Sequence, residues 1–296
     1  MRRRILEGKT IALLGGDERE VILAQALLDQ GARLLLVGYD ERPRLAQAIH
    51  CDLLSAVQQA DTAVAPMSNT DAEGRIKATL DPTAELWLDD AVFAALAGKT
   101  LFIGMAKPLV QELAGRHDVR IVETAEIDEI AVLNSIPTAE GAILRAMTEL
   151  PTTVHGSSSL VVGFGRCGIT LARMLHGLGA RVVVAARNRA QLARAYEMGL
   201  AAIHLDDISQ AVQEVDVVYN TVPALVLTEE VIEALPQRAI IVDIASAPGG
   251  TDFVAARRKR IKAFLDLGIP GKVAPQTAGE ILARTMPRLI ADLDRR

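Results

Sequence analysis

Residues 158–188 read SSLVVGFGRCGITLARMLHGLGARVVVAARN. An apolar strand, a glycine-bearing turn, an amphipathic helix and a second apolar strand follow in order, which is the sequence form of a βαβ unit. Within it, Gly163-Phe164-Gly165-Arg166-Cys167-Gly168 comes directly after the strand Leu160-Val161-Val162. In such a turn the first glycine permits the tight bend, the second lets backbone approach a pyrophosphate, and the third allows close helix packing. The N–H groups and dipole of the next helix then hold the phosphates. A dinucleotide is the expected ligand of this turn.

The same pattern occurs earlier. Residues 10–40 read TIALLGGDEREVILAQALLDQGARLLLVGYD, and they align with 158–188 without a gap at an offset of 148. Gly15 falls on Gly163 and Gly31 on Gly179, but the second and third glycines are replaced by Asp17 and Glu20. A carboxylate there would clash with a pyrophosphate and repel it, so the first copy is predicted to have the fold without the dinucleotide. Its turn, Gly15-Gly16-Asp17-Glu18-Arg19, is either a ligand-presenting loop or a plain tight turn. Further strands, Ala60–Pro66 and Thr100–Gly104 in the first copy and Val215–Thr221 and Ala239–Asp243 in the second, continue the alternation expected of parallel sheets. The expected class is α/β: two Rossmann-like, doubly wound parallel-sheet domains separated by a cleft and linked by helices.

The predicted boundaries are 1–134 for the first domain, 135–150 for a bridging helix and 151–276 for the cofactor domain. A helix over 277–296, interrupted at Pro287, is expected to pack back on the first domain. The bridging helix is read from Ser135, with Pro137 in its first turn, Glu140 near its positive end and Pro151 after it.

Length and composition fit this reading. The 296 residues suit about two domains, and 50% hydrophobic with 23% charged residues excludes disorder. A net charge of −5 and 3% aromatics argue against nucleic acid. The run Arg257–Lys262 reads as a solvated helix end. Two cysteines, Cys51 and Cys167, make no disulfide framework, and a cytoplasmic protein is expected. No apolar run approaches the ~18 residues of a membrane span. The five histidines form no pair at metal-ligand spacing, so no metal site is expected.

The second strand of the cofactor domain ends in Arg187-Asn188-Arg189, with no acidic residue to hold ribose hydroxyls. Guanidinium groups there suit a 2′-phosphate, so NADP is expected, with NAD bound through main-chain contacts as the alternative. Asn220-Thr221-Val222-Pro223 and the loop from Asp243 through Ser246 to Gly250 should run beside the ribose and nicotinamide. Cys167 is read as a small packed residue.

In this order, the chain resembles the A-subunit family of dipicolinate synthase, which makes dipicolinic acid in endospore-forming bacteria. The resemblance rests on Gly15–Arg19, Glu123–Ile127, Asn134–Gly141, His155-Gly156-Ser157, Gly163–Gly168, Asn220–Leu227, Asp243–Ser246, Pro248–Phe253 and Pro270–Gly279. It implies NADP-linked oxidation of dihydrodipicolinate, or of its hydrated precursor, to pyridine-2,6-dicarboxylate. It also implies action in the mother-cell cytoplasm with a flavoprotein-like second subunit. A homo-oligomer is expected.

That chemistry sends a hydride to the nicotinamide and a proton to a base. Two substrate carboxylates need cations or N–H donors. Arg19, beside Gly16 and Asp17, is the candidate clamp, or else an ordinary helix-start arginine. Ser135 and Thr138 are candidate anion binders or simple caps, and Ser246 is a candidate from the nicotinamide side. His155 is the candidate base, since histidine as a residue type suits proton transfer near neutral pH, yet it lies before a strand whose amino end faces away from such sites. A structural role is its other reading, and Glu140 is the alternative base. The polar stretch Pro66–Pro82 is either a lid or a surface hairpin. Two rival functions remain: a dehydrogenase of another small acid, against which Ala245-Ser246-Ala247 stands where an arginine is usual, and a non-catalytic NADP-sensing subunit.

Overall fold

The computed structural model describes residues 4–68 and 70–293. It divides into two units, one of residues up to 133 with 274 onward, the other of 134–273.

The first unit carries β1 (Thr10–Leu14), β2 (Arg33–Val37), β3 (Ile49–His50), β4 (Thr62–Val64), the short β5 (Arg75–Ile76) and β6 (Leu86–Trp87), then β7 (Thr100–Ile103) and β8 (Arg120–Glu123). Six of these form a parallel sheet in the order β3-β2-β1-β4-β7-β8, while β5 and β6 pair antiparallel by themselves. The second unit has β9 (Ser158–Val162), β10 (Arg181–Ala186), β11 (Ala201–His204), β12 (Val217–Asn220), β13 (Ile240–Asp243) and β14 (Lys262–Leu265), in the order β11-β10-β9-β12-β13-β14. The two orders are the same. In both, the chain leaves the first strand toward one edge and returns to its other side, which makes a topological switch point between β1 and β4 and another between β9 and β12.

Period-two side-chain alternation builds two cores per sheet. Ala12, Leu14, Leu35, Val37, Leu101 and Ile103 face one layer, while Ile11, Leu13, Leu34, Leu36 and Phe102 face the other. Val161, Val184, Tyr219 and Val242 are divided in the same way from Leu160, Val162, Val218 and Ile241. The offset of 148 maps β1 onto β9 and the helix Glu18–Asp29 onto the helix Arg166–Gly177 residue for residue. One polar device is repeated as well. Asp61 accepts the N–H of Thr10 at 2.8 Å, and Asp216 accepts that of Ser158 at 2.9 Å, so each fixes the start of its unit's central strand.

Two helices differ from their sequence reading. The helix expected from Ser135 begins at Asp128 and runs to Glu149. Asp128 and Glu129 supply the negative charge that favours its first turn, and Pro137 is interior, where it forfeits one backbone bond. Ile130 joins the first unit's core, and Ala139, Ala142, Ile143 and Ala146 join the second's. Burial of that alanine-rich stripe offsets the proline. The last helix, Pro275–Asp292, is likewise unbroken at its buried Pro287. It packs on the helix Glu18–Asp29 at a point where Gly279 is needed: a Cβ there would lie 2.6 Å from the Ile22 side chain. Asp294–Arg296, at the end of the predicted helix, lie outside the described residues.

Candidate functional site

In the second unit the glycine turn sits at the carboxyl end of β9, at the switch point. Gly163 has φ +90°, and a Cβ there would meet the Thr221 hydroxyl oxygen at 2.4 Å. Gly168 packs so closely that a Cβ would stand 2.1 Å from the Gly163 carbonyl oxygen. Over Gly165, by contrast, a Cβ would meet nothing within 4 Å. Two glycines are thus fixed by internal crowding and the middle one by open space, as a backbone cradle for a pyrophosphate requires. Gly165 is also the N-cap of the helix Arg166–Gly177 and offers no side chain to its N–H groups. These residues fit a dinucleotide. Phe164 is buried and anchors the turn from below. Burial pushes the Cys167 thiol up, so it stays protonated, in keeping with a packed residue.

Around the turn, the expected cofactor residues divide into two kinds. Arg187, Asn188 and Arg189 are exposed at the end of β10. Asn188 caps the next helix by accepting the Ala190 N–H at 2.8 Å. Asn220 and Asp243 are fully buried and face their own loops instead. Asn220 exchanges hydrogen bonds with the N–H and carbonyl of Val222, at 3.1 and 3.0 Å. Asp243 accepts from Ala245 N–H, Gly250 N–H and the Thr251 hydroxyl at 3.0, 2.8 and 2.7 Å. Their role here is to shape the loops that carry Val222, Pro223 and the exposed Ser246. Thr221 bonds back to the Val162 carbonyl at 2.9 Å and so ties β12 to the turn.

The first unit replaces the cradle with a closed polar knot. Asp17 caps the helix Glu18–Asp29, and Glu20 completes a capping box by accepting the Asp17 N–H at 2.9 Å. The other Glu20 oxygen accepts the Met67 N–H at 3.0 Å, bridging the β1 and β4 loops across the switch point. A Cβ at Gly16 would meet Glu20 at 2.7 Å, so Glu20 occupies the space that phosphates would need. Arg19 is buried, and its fork is already filled: Nε and Nη2 donate to the two Asp17 oxygens at 2.9 and 2.8 Å. The expected substrate clamp is therefore engaged internally, because Asp17 is the nearest carboxylate to an arginine two residues on. Burial works against both charges, but the pair's hydrogen bonds outweigh it, holding Asp17 below the usual carboxylate range and Arg19 above its own. Burial pushes Glu20 up. The Pro66–Pro82 stretch is docked on this turn, with Gly16 N–H on the Lys77 carbonyl at 2.8 Å and Thr79 N–H on the Gly16 carbonyl at 2.9 Å; Asn69 lies outside the described residues.

Four further candidates stand elsewhere. Ser135 and Thr138 lie inside the long helix, so its free N–H groups are not theirs to offer. The Ser135 hydroxyl is fully buried against that of Thr170 at 2.6 Å, and the Thr138 hydroxyl donates to the Asn134 carbonyl at 2.8 Å. Glu140 is exposed in the helix interior. His155 precedes β9 with its Nδ1 3.1 Å from the Leu178 carbonyl oxygen. The five residues of β9 separate it from the glycine turn by about 17 Å, which sets it at the opposite end of the strand from that turn. Among the described residues no group of three His, Cys, Asp or Glu side chains could hold a metal ion, and no helix is long and apolar enough to cross a membrane.

Residues 137–248 match the family model for the NAD-binding domain of D-isomer specific 2-hydroxyacid dehydrogenases. With the cradle at Gly163–Gly168, that match defines the class: an oxidoreductase of the dehydrogenase type, built to use a nicotinamide cofactor. Residues 10–125 match the model for the N-terminal domain of the dipicolinate synthase A subunit. The chain is 38% identical to the dipicolinate synthase A subunit of Bacillus subtilis (strain 168) over 98% of both chains. It belongs to the A-subunit family of dipicolinate synthase. The crystal structure of the Bacillus halodurans A subunit superposes with a TM-score of 0.92 at 35% identity, covering 97% of this chain and 99% of that one. That of the Bacillus subtilis protein does so with 0.91 at 38% identity, covering 98% of each.

Proposed function

We propose that this chain oxidises dihydrodipicolinate, or its hydrated precursor, to dipicolinate with NADP as acceptor. The observation that carries this reading is the cradle at Gly163, Gly165 and Gly168 in a chain that matches the Bacillus subtilis dipicolinate synthase A subunit over 98% of its length. When bound, the nicotinamide accepts the hydride. Gly165 gives the pyrophosphate its approach, and the N–H groups at the start of Arg166–Gly177 receive it. Arg187 and Arg189, exposed and without an ion pair among the described residues, supply positive charge for a 2′-phosphate. Thr221, Asn220 and Asp243 hold the neighbouring loops rigid, so orientation is set before the substrate arrives. Aromatisation provides much of the driving force, and positioning is the protein's main task.

The Bacillus subtilis relative is named as one subunit of a synthase. That name supports a partner for this chain, and a flavoprotein-like one is proposed. The test is to mix the purified protein with NADP and freshly generated dihydrodipicolinate, with and without that partner. Growth of pyridine-dicarboxylate absorbance supports the reading. Tight NADP binding with no turnover under either condition would favour a sensor.

A further inference from the structure

In its second-unit stretch the helix Asp128–Glu149 presents a ridge to solvent: Ile136, Glu140 and Leu144, each four residues from the next, and then Met147. The opposite side, Ala139, Ala142, Ile143 and Ala146, is sealed in the core. A helix with one buried face ordinarily carries polar side chains on the other. Here three of the four are apolar, with Ile136 37%, Leu144 54% and Met147 52% exposed. At 1.5 Å per residue the ridge is about 17 Å long. The helix Arg166–Gly177 adjoins it where the Ser135 hydroxyl meets that of Thr170 at 2.6 Å, and its Leu171, Ala172 and Leu175 share the same core. The exposed ridge of that helix begins beside this contact with Ile169, 37% exposed, and continues one turn on with Arg173. Glu140 and Arg173 each lack an ion-pair partner among the described residues.

We propose that this face is the contact between two copies of the chain, paired about a two-fold axis that runs between the two helices. A continuous exposed apolar ridge marks an interaction surface, whereas apolar residues scattered singly do not. The charges choose the occupant. A two-fold contact is isologous, so the face that one copy presents must be complementary to itself. This face meets that condition, with one unpaired anion on the long helix and one unpaired cation on its neighbour. With the axis between the helices, the long helix of each copy lies on the other copy's helix Arg166–Gly177. Glu140 then faces Arg173 across the axis, and the same pair forms a second time by symmetry. Ile136, Leu144 and Met147 lose their water together with Ile169, which supplies the affinity, while the charge pairs fix the register. A face of a single sign would instead call for a different protein of the opposite sign.

Sedimentation velocity of the purified full chain over a dilution series provides the test. The wild type should sediment as a dimer at micromolar concentration, and its melting temperature should rise with concentration. Leu144→Asp, a change at an exposed position, should keep the far-ultraviolet circular dichroism of the wild type and weaken the dimer about 30-fold or more. Glu140→Arg and Arg173→Glu should each weaken it about tenfold. The two reversals together should return the dissociation constant to within about threefold of the wild type, because the pair is restored across the axis. A wild-type chain that stays monomeric at every concentration overturns the proposal. So does a dimer that none of these changes weakens, or a double reversal no better than the single ones. A ridge protected from hydrogen exchange only when a different subunit of the synthase is added would give this face to that subunit and equally overturn the proposal.

Discussion

The three glycines of the second unit are glycine for different reasons, and substitution separates them. Alanine at Gly168 would place a methyl 2.1 Å from a backbone oxygen, and overpacking of this kind costs about 1–3 kcal/mol. Gly168→Ala should therefore lower the unfolding free energy by about that much in denaturant titration. Gly165→Ala meets open space at a φ of −91°. It should fold with unchanged stability and lose most of its dinucleotide affinity. Arg187→Ala should weaken NADP binding by about 10- to 100-fold, the worth of a charged hydrogen bond, and leave NAD binding nearly unchanged in the same fluorescence titration. Glu20 has a pH signature. Its folded pKa lies above the unfolded 4.5, so the native state holds its proton more tightly, and stability falls as pH rises through the interval just above 4.5. Asp17 acts oppositely: its stability contribution is present above 3.8 and is lost as pH falls through its lowered folded value. Glu20→Gln should remove the fall above 4.5 from the pH dependence of the melting temperature and leave the loss at lower pH.

At the scale of elements, the long helix Asp128–Glu149 is where sequence and structure part. The segment from Ser135 satisfies every rule for a helix start, including proline in the first turn, and these rules are equally met by a proline carried inside a longer helix. Tertiary burial of Ala139, Ala142 and Ala146 decided between them. The βαβ offset of 148 was legible because both copies set an apolar strand, a glycine turn and a helix at the same spacing. The capping box was legible too, in Asp17-Glu18-Arg19-Glu20, as a polar cap with a glutamate three residues on; reading Arg19 as a clamp overlooked it. That the buried Tyr39 and Thr70 hydroxyls have no partner among the described residues carries no periodic signal, since only three-dimensional burial reveals it. Ser135 makes the element-scale prediction. Ser135→Ala removes the 2.6 Å hydrogen bond to the Thr170 hydroxyl, which keeps the Arg166 carbonyl at 3.4 Å, so unfolding by urea should show a loss of about 0.5–1.5 kcal/mol.

For the whole molecule, two sheets of identical strand order have been given different work by a handful of side chains. Where the second unit leaves space over Gly165, the first fills it with Glu20, and where the second exposes Arg187, the first seals Arg19 against Asp17. On the proposed function, attraction for a dianionic substrate in a chain of net charge −5 must come from a few placed groups. On the proposed function, the hydride leaves the substrate for a nicotinamide held at the Gly163–Gly168 turn. Dihydrodipicolinate deuterated at the carbon that gives up the hydride, incubated with this protein and NADP alone, tests it most directly. Mass spectrometry of the nucleotide should find one deuterium in the reduced cofactor for each dipicolinate formed. Dipicolinate formed with no label in the nucleotide would rule out that transfer and assign the oxidation to another acceptor.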